Sequence, residues 1–139
     1  MDESVSVARA IRATHESVLA AVDRRGTEVT REWPADGLGD GRRAATDLDT
    51  AFRAEGILER LPPVLETAAA TLGTAPVADP VAAPPYVVVT SRGPVLRATL
   101  PRWRVVLTLA VVTIETGRYH PREDITLEVA CPDRRTGPT

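Results

Sequence analysis

The run Trp103-Arg104-Val105-Val106-Leu107-Thr108-Leu109-Ala110-Val111-Val112-Thr113-Ile114 constrains this chain more than any other stretch. Its β-branched and aliphatic side chains suit a pleated surface, and strand alternation divides them between two faces. Trp103, Val105, Leu107, Leu109 and Val111 fall on one, and Arg104, Val106, Thr108, Ala110 and Val112 on the other. Both faces are fairly apolar, so the run reads as a central strand that can accommodate a bulge. Shorter β-rich segments flank it at residues 86–91, 95–100 and 125–131. Arg92-Gly93-Pro94 supplies the turn of a hairpin, after which Leu96, Ala98 and Leu100 alternate with Val95, Arg97 and Thr99. Pro101 breaks the chain before the long strand, residues 117–124 read as a polar loop, and Ile125, Leu127 and Val129 alternate in a final strand. The expectation over residues 86–131 is a four-stranded antiparallel meander.

The first half has the other periodicity. Val7, Ile11, Val18, Val22, Val29 and Trp33 recur at helical spacing, with His15 and Leu19 on the same stripe, so one long amphipathic helix is expected. Ser4 or Ser6 can cap it, Gly26 can weaken or bend it, and Trp33-Pro34 ends it because a residue before proline avoids the helical region. Residues 36–41 hold three glycines and form a loop, with Asp40 available to cap a second helix over residues 42–55. Ala45, Leu48 and Phe52 share that helix's buried face, and Gly56 stops it. A helical turn at residues 57–61 leads to Pro62-Pro63, which suits the first turn of a third helix ending near Gly73. Residues 74–85, with four prolines, read as an extended strap lying over the sheet.

Together these patterns predict one α+β domain over residues 1–139 in two layers. A helical layer (1–73) is joined by the proline-rich connector (74–85) to the sheet (86–131), with a tail at 132–139. A chain of 139 residues can bury a core, and that core must be mostly Val, Leu, Ile and Ala because only five aromatics are present. The longest nearly apolar run falls far below the roughly 20 residues that span a bilayer. Met1-Asp2-Glu3 is acidic where a secretory leader is basic, and the lone Cys131 forms no internal disulfide, so a cytoplasmic location is expected.

The net charge of −2 conceals an asymmetry. Residues 1–83 hold nine Arg against fourteen acids, residues 84–139 hold eight Arg against five, and from Tyr86 to Ile114 there are four Arg and no acid. Such a layout either lets the two layers attract each other or attracts an anionic partner, and the first is the simpler account.

Three sets of residues could carry function. Arg92, Arg97 and Arg104 could bind phosphates or nucleic acid on a sheet face; against this, Trp103 alternates away from Arg102 and Arg104, and Glu115 and Glu128 can pair with the arginines across strands. His120 with Asp124 or Glu123 could move a proton, but no second His, Ser or Cys completes a triad or metal set. His15, on an apolar stripe, suits a hydrogen-bonded core or interface position. No cofactor or metal is called for, and Gly37, Gly39 and Gly41 lack the Lys-Ser/Thr of a phosphate loop. By elimination the leading expectation is a non-enzymatic interaction protein, self-associating through a sheet edge or the long helix or docking a protein partner.

The stretch Val81-Ala82-Ala83-Pro84-Pro85-Tyr86-Val87-Val88-Val89-Thr90-Ser91-Arg92-Gly93-Pro94-Val95-Leu96-Arg97-Ala98-Thr99-Leu100 resembles a segment found in a group of uncharacterised small proteins of halophilic archaea. All 17 basic residues are Arg, which suits a GC-rich genome and that source. The resemblance implies an origin and no chemistry.

Overall fold

A computed structural model describes residues 2–134. Helices α1 (Glu3–Thr14), α2 (Glu16–Thr30), α3 (Gly41–Ala54) and α4 (Pro62–Thr71) precede strands β1 (Val87–Thr90), β2 (Gly93–Thr99), β3 (Arg104–Glu115) and β4 (Arg118–Ala130). The strands form one antiparallel sheet in the order β1-β2-β3-β4, the expected meander. The helices lie on one face: α1 packs on α4 and β4, α2 on β3 and β4, α3 on β1, and α4 on β2. Buried side chains of helices and strands make a single cluster around Ile11, Leu48, Phe52, Leu65, Leu96, Leu107 and Leu109.

The expected long helix is two helices. His15 adopts φ −118° and ψ 29°, ending α1 and preceding α2, and its Nε2 lies 2.6 Å from Thr67 Oγ1 of α4. A straight helix drifts about 20° per heptad away from a strict seven-residue repeat. The break at His15 therefore lets Val7 and Ile11 of α1 and Val18 and Val22 of α2 all reach the core. Asp2, rather than Ser4 or Ser6, caps α1 by accepting from the Ser4 backbone N–H at 3.0 Å.

Gly26 does not bend α2, which runs unbroken through it. Its missing side chain admits Val111: a Cβ at Gly26 would lie 2.9 Å from Val111 Cβ. Asp40 caps α3 as expected, and Gly56 closes it at φ +68°. On α3 Ala44 is fully buried and Ala45 only half-buried, so the buried face is shifted by one residue from the expected set.

Three further expectations change. Residues 117–124 are not a loop: β4 starts at Arg118, and the turn is Thr116-Gly117, both with positive φ (49° and 73°), the backbone of a two-residue hairpin. The bulge lies in β4. Val112 pairs with Pro121 but Ala110 pairs with Thr126, so residues 122–125 face the single Val111. Residues 132–134 are not a free tail either, since Trp103 bridges Asp133 and the Arg134 N–H donates to Arg102 O at 2.7 Å. The remainder of that expected tail, residues 135–139, lies outside the described residues. The connector is a strap tied to the sheet, its Val77 N–H donating to Thr99 O at 2.9 Å; Pro84 and Pro85, joined by a cis peptide, belong to a turn before β1.

Candidate functional site

With helices on one side only, the opposite face of the sheet stays open. Leu96 (0% exposed) and Ala98 (4%) point toward the helices, so Arg97 between them points away. Arg104 precedes the fully buried Val105 and likewise points away. The outer face thus carries Val88, Val95, Arg97, Thr99, Arg104, Val106 and Thr108, a mixture of valine and arginine with no acid among them, although Val95 is buried.

The arginines fare differently from one another. Arg92, at the β1–β2 turn, reaches across the face to a close ion pair with Glu128 of β4, the expected cross-strand pairing. Arg102 pairs with Asp133 at 2.9 Å and lies 5.0 Å from the ring centroid of Trp103, which is half-buried at the margin of the core. Arg97 and Arg104 are exposed, and neither side chain has a hydrogen bond or ion pair among the described residues. Glu115 supplies no such pair either.

The two unpartnered arginines are neighbours. Arg97 pairs with Val106 and Thr99 with Arg104, which makes Arg97 and Arg104 diagonal across β2 and β3, roughly 7–8 Å apart at the backbone. They line a cleft of about 520 Å³ with Val77 of the strap, Tyr86, Thr99 and Val106. The strap forms one wall and the sheet forms the floor. Sequence reasoning identified the arginines but missed Val77 and Tyr86, since only folding brings residue 77 beside residue 99.

The charge asymmetry is not a set of ion pairs between layers. Arg24 and Arg25 pair with Glu28 and Glu55, Arg43 with Asp47 and Arg53 with Asp49, all inside the helical layer. Among the described residues only Arg118 and Asp36, at 3.8 Å, link the halves. Attraction between the layers therefore does not account for Arg97 and Arg104.

His120 sits near the start of β4, half-buried, opposite Thr113. The glycine-rich loop seats this end of the strand. A Cβ on Gly37 would meet His120 Cε1 at 2.7 Å, and one on Gly41 would meet the Tyr119 hydroxyl at 2.5 Å. Leu38 pairs with Tyr119, and Arg118 donates to Asp36 O at 2.8 Å and Gly37 O at 2.5 Å. Asp124 and Glu123 are exposed in the bulge, where with Arg122, Glu115 and Thr126 they border a polar depression that His120 does not line. The structure draws no hydrogen bond between His120 and either carboxylate. No group of three or more His, Cys, Asp or Glu among the described residues is placed to hold a metal ion.

Burial displaces the pKa values of His15 and Cys131 in opposite directions. Burial lowers that of His15, whose ring meets Thr67. Burial, with help from Asp2 and Glu3, pushes the Cys131 thiol up to about 11. No helix among the described residues is long and apolar enough to cross a membrane.

The chain belongs to the family defined by a domain of unknown function, DUF7988, whose model matches residues 5–132. That span covers the whole two-layer unit, from the first turn of α1 to the residue after Cys131. No curated protein and no solved structure matches the chain.

Proposed function

We propose that this protein is a non-enzymatic interaction module whose working surface is the outer face of the sheet, where it docks a protein partner or a second copy of itself. One observation carries this reading: the helices cover a single face of the sheet, and the other exposes valines beside two arginines that have no partner in the fold. A merely solvated face alternates charges of both signs or simple polar residues. This face has Val88 exposed and Val106 half-buried beside an unbalanced positive charge.

The sheet edges support the face over the edge as the docking surface. β1 is four residues long, and β4 carries Pro121, a bulge and the acids Glu123, Asp124 and Glu128, all devices that resist strand addition. The long helix invoked for self-association is divided at His15, with the apolar stripes of both halves buried. The runner-up, nucleic-acid or phosphate binding through Arg92, Arg97 and Arg104, keeps Arg97 and Arg104 as its free cations, because Arg92 is engaged by Glu128.

A cytoplasmic, haloarchaeal protein is part of the same proposal. It is supported by the resemblance of residues 81–100, by basic residues that are all Arg, and by a single cysteine that needs no oxidising compartment.

The test compares wild type with Val88→Glu and Arg97→Glu, both at exposed positions of the outer face. Light scattering over a range of protein and salt concentrations should show a wild-type mass that rises with concentration and falls back in the variants. Where wild type stays monomeric, cross-linking in native-host extract should give a defined partner that both variants lose. A strict monomer whose cross-linked products are the same in wild type and variants refutes the proposal.

A further inference from the structure

We propose that the cleft between the strap and the outer sheet face is a binding site for a small oxyanion ligand, a carboxylate or phosphate monoester carried on a flat apolar body. This deepens the runner-up reading, on whose two free cations it rests, by naming one cleft and one ligand class, and it does not depend on the docking reading. The cleft has a volume of about 520 Å³, within the range of roughly 300–1,000 Å³ typical of small-molecule sites. Its two cations, Arg97 and Arg104, come from adjacent strands and lie diagonal to each other on one face. Guanidinium forks on flexible arms at that separation can converge on the oxygens of one anion and hold it by charge-assisted hydrogen bonds.

The fold leaves these charges uncompensated. Within β1, β2 and β3 only Glu115, at the far end of β3, is acidic, and Glu128, the acid of β4 on this face, is taken by Arg92. Two like charges held as neighbours repel, and an anion between them relieves that repulsion. The rest of the lining is mostly apolar: Val77, Pro85 and Val106, with Tyr86 supplying a ring against which a flat body can stack. An anion joined to such a body satisfies both parts of the wall. The site is also largely preformed, because the hydrogen bond from Val77 N–H to Thr99 O fixes the strap to the strand beneath it. Preorganisation of this kind reduces the ordering cost of binding.

The experiment titrates the full-length, ¹⁵N-labelled protein at low salt with 1-naphthyl phosphate, 1-naphthoate and neutral 1-naphthol, following the amide resonances. Saturable shifts at Val77, Thr99 and Arg104 with at least one of the two anions, and none with naphthol, are the expected result. The phosphate and carboxylate arms then show which oxyanion the site prefers. Arg97→Gln and Arg104→Gln should each weaken binding by about tenfold, the change that corresponds to losing one charge-assisted hydrogen bond. Arg9→Gln, which removes the same charge from an exposed position of α1, serves as the control and should leave affinity within about twofold, the scale of an exposed charge contributing a few tenths of a kcal/mol. All three positions are exposed, and retained amide dispersion establishes that each variant is folded. Shifts that fail to saturate with either anion, equal shifts with naphthol, or an Arg9→Gln effect as large as that of Arg104→Gln would overturn the site.

Discussion

Replacing Gly26 by alanine tests the packing of α2 on the sheet, because two effects of known size oppose each other there. In an exposed helix interior, glycine to alanine gains about 1 kcal/mol. Gly26 lies instead over Val111 of β3, and a Cβ would come within 2.9 Å of Val111 Cβ and 3.0 Å of both its methyl carbons. Real Cβ atoms do not approach so closely, and Val111 is 5% exposed, with no free space to turn into. Overpacking a filled core costs about 1–3 kcal/mol, so the net effect of Gly26→Ala is a loss of about 0–2 kcal/mol. Val111→Ala alone should cost about 2 kcal/mol for the two methyl groups removed. In that background the two methyl contacts are gone while the contact to the Cβ that alanine keeps remains, so alanine at 26 should recover part of its helical advantage. The double-mutant cycle should therefore show a favourable coupling of about 0.5–1 kcal/mol. Urea unfolding, read as a change of midpoint at constant slope, measures all four proteins. A stabilisation of about 1 kcal/mol by Gly26→Ala in the wild-type background, or a coupling near zero, would refute this account of the helix–sheet contact.

Gly93 should be still less replaceable: its φ is +140°, and a side chain there would run into the Leu109 carbonyl, so Gly93→Ala should cost at least about 3 kcal/mol in urea unfolding. His15 gives a pH dependence whose sign follows from its lowered pKa. The unfolded chain binds the proton more readily, so the contribution of neutral His15 is fully present above the ordinary value of 6.5 and declines as pH falls below it toward the depressed folded value. Stability measured between pH 7.5 and 5 should fall on acidification, and His15→Gln should flatten that slope; an unchanged slope would rule His15 out as its source. Cys131, with its pKa pushed up to about 11, should be almost entirely thiol at neutral pH and react with a maleimide far more slowly than an unhindered cysteine. Its rate should keep rising past pH 9, and a plateau below that pH would contradict the assigned environment.

Much of the candidate site was legible in the strands themselves. The alternation of Leu96, Ala98 and Leu100 with Val95, Arg97 and Thr99 separated the arginine from the leucines but left open which of the two faces meets the helices; the structure turns Leu96 and Ala98 inward and Arg97 away. Whether that face was covered could not be read, because a run apolar on both faces, like β3, is equally suited to one helical layer or two. The first strand pair of β4 was illegible for a different reason. Arg118 to Pro121 are polar or proline, and their strand geometry comes from backbone pairing with residues 112–115 and with Leu38, which leaves no periodic side-chain signal.

The sequence by itself determined the two-layer α+β class, the order of helices before strands, the meander and the caps at Asp40 and Gly56. Each of these follows from hydrophobic period or from local backbone chemistry, which act over a few neighbouring residues. Tertiary structure alone decided the break at His15 and the role of Gly26 as a seat for Val111, and of the expected cross-strand pairs it made only that of Arg92 with Glu128. It alone also left Arg97 and Arg104 unpaired beside a strap from residue 77. These depend on which distant side chains share a space, and pairing and packing across tens of residues leave no mark in local periodicity.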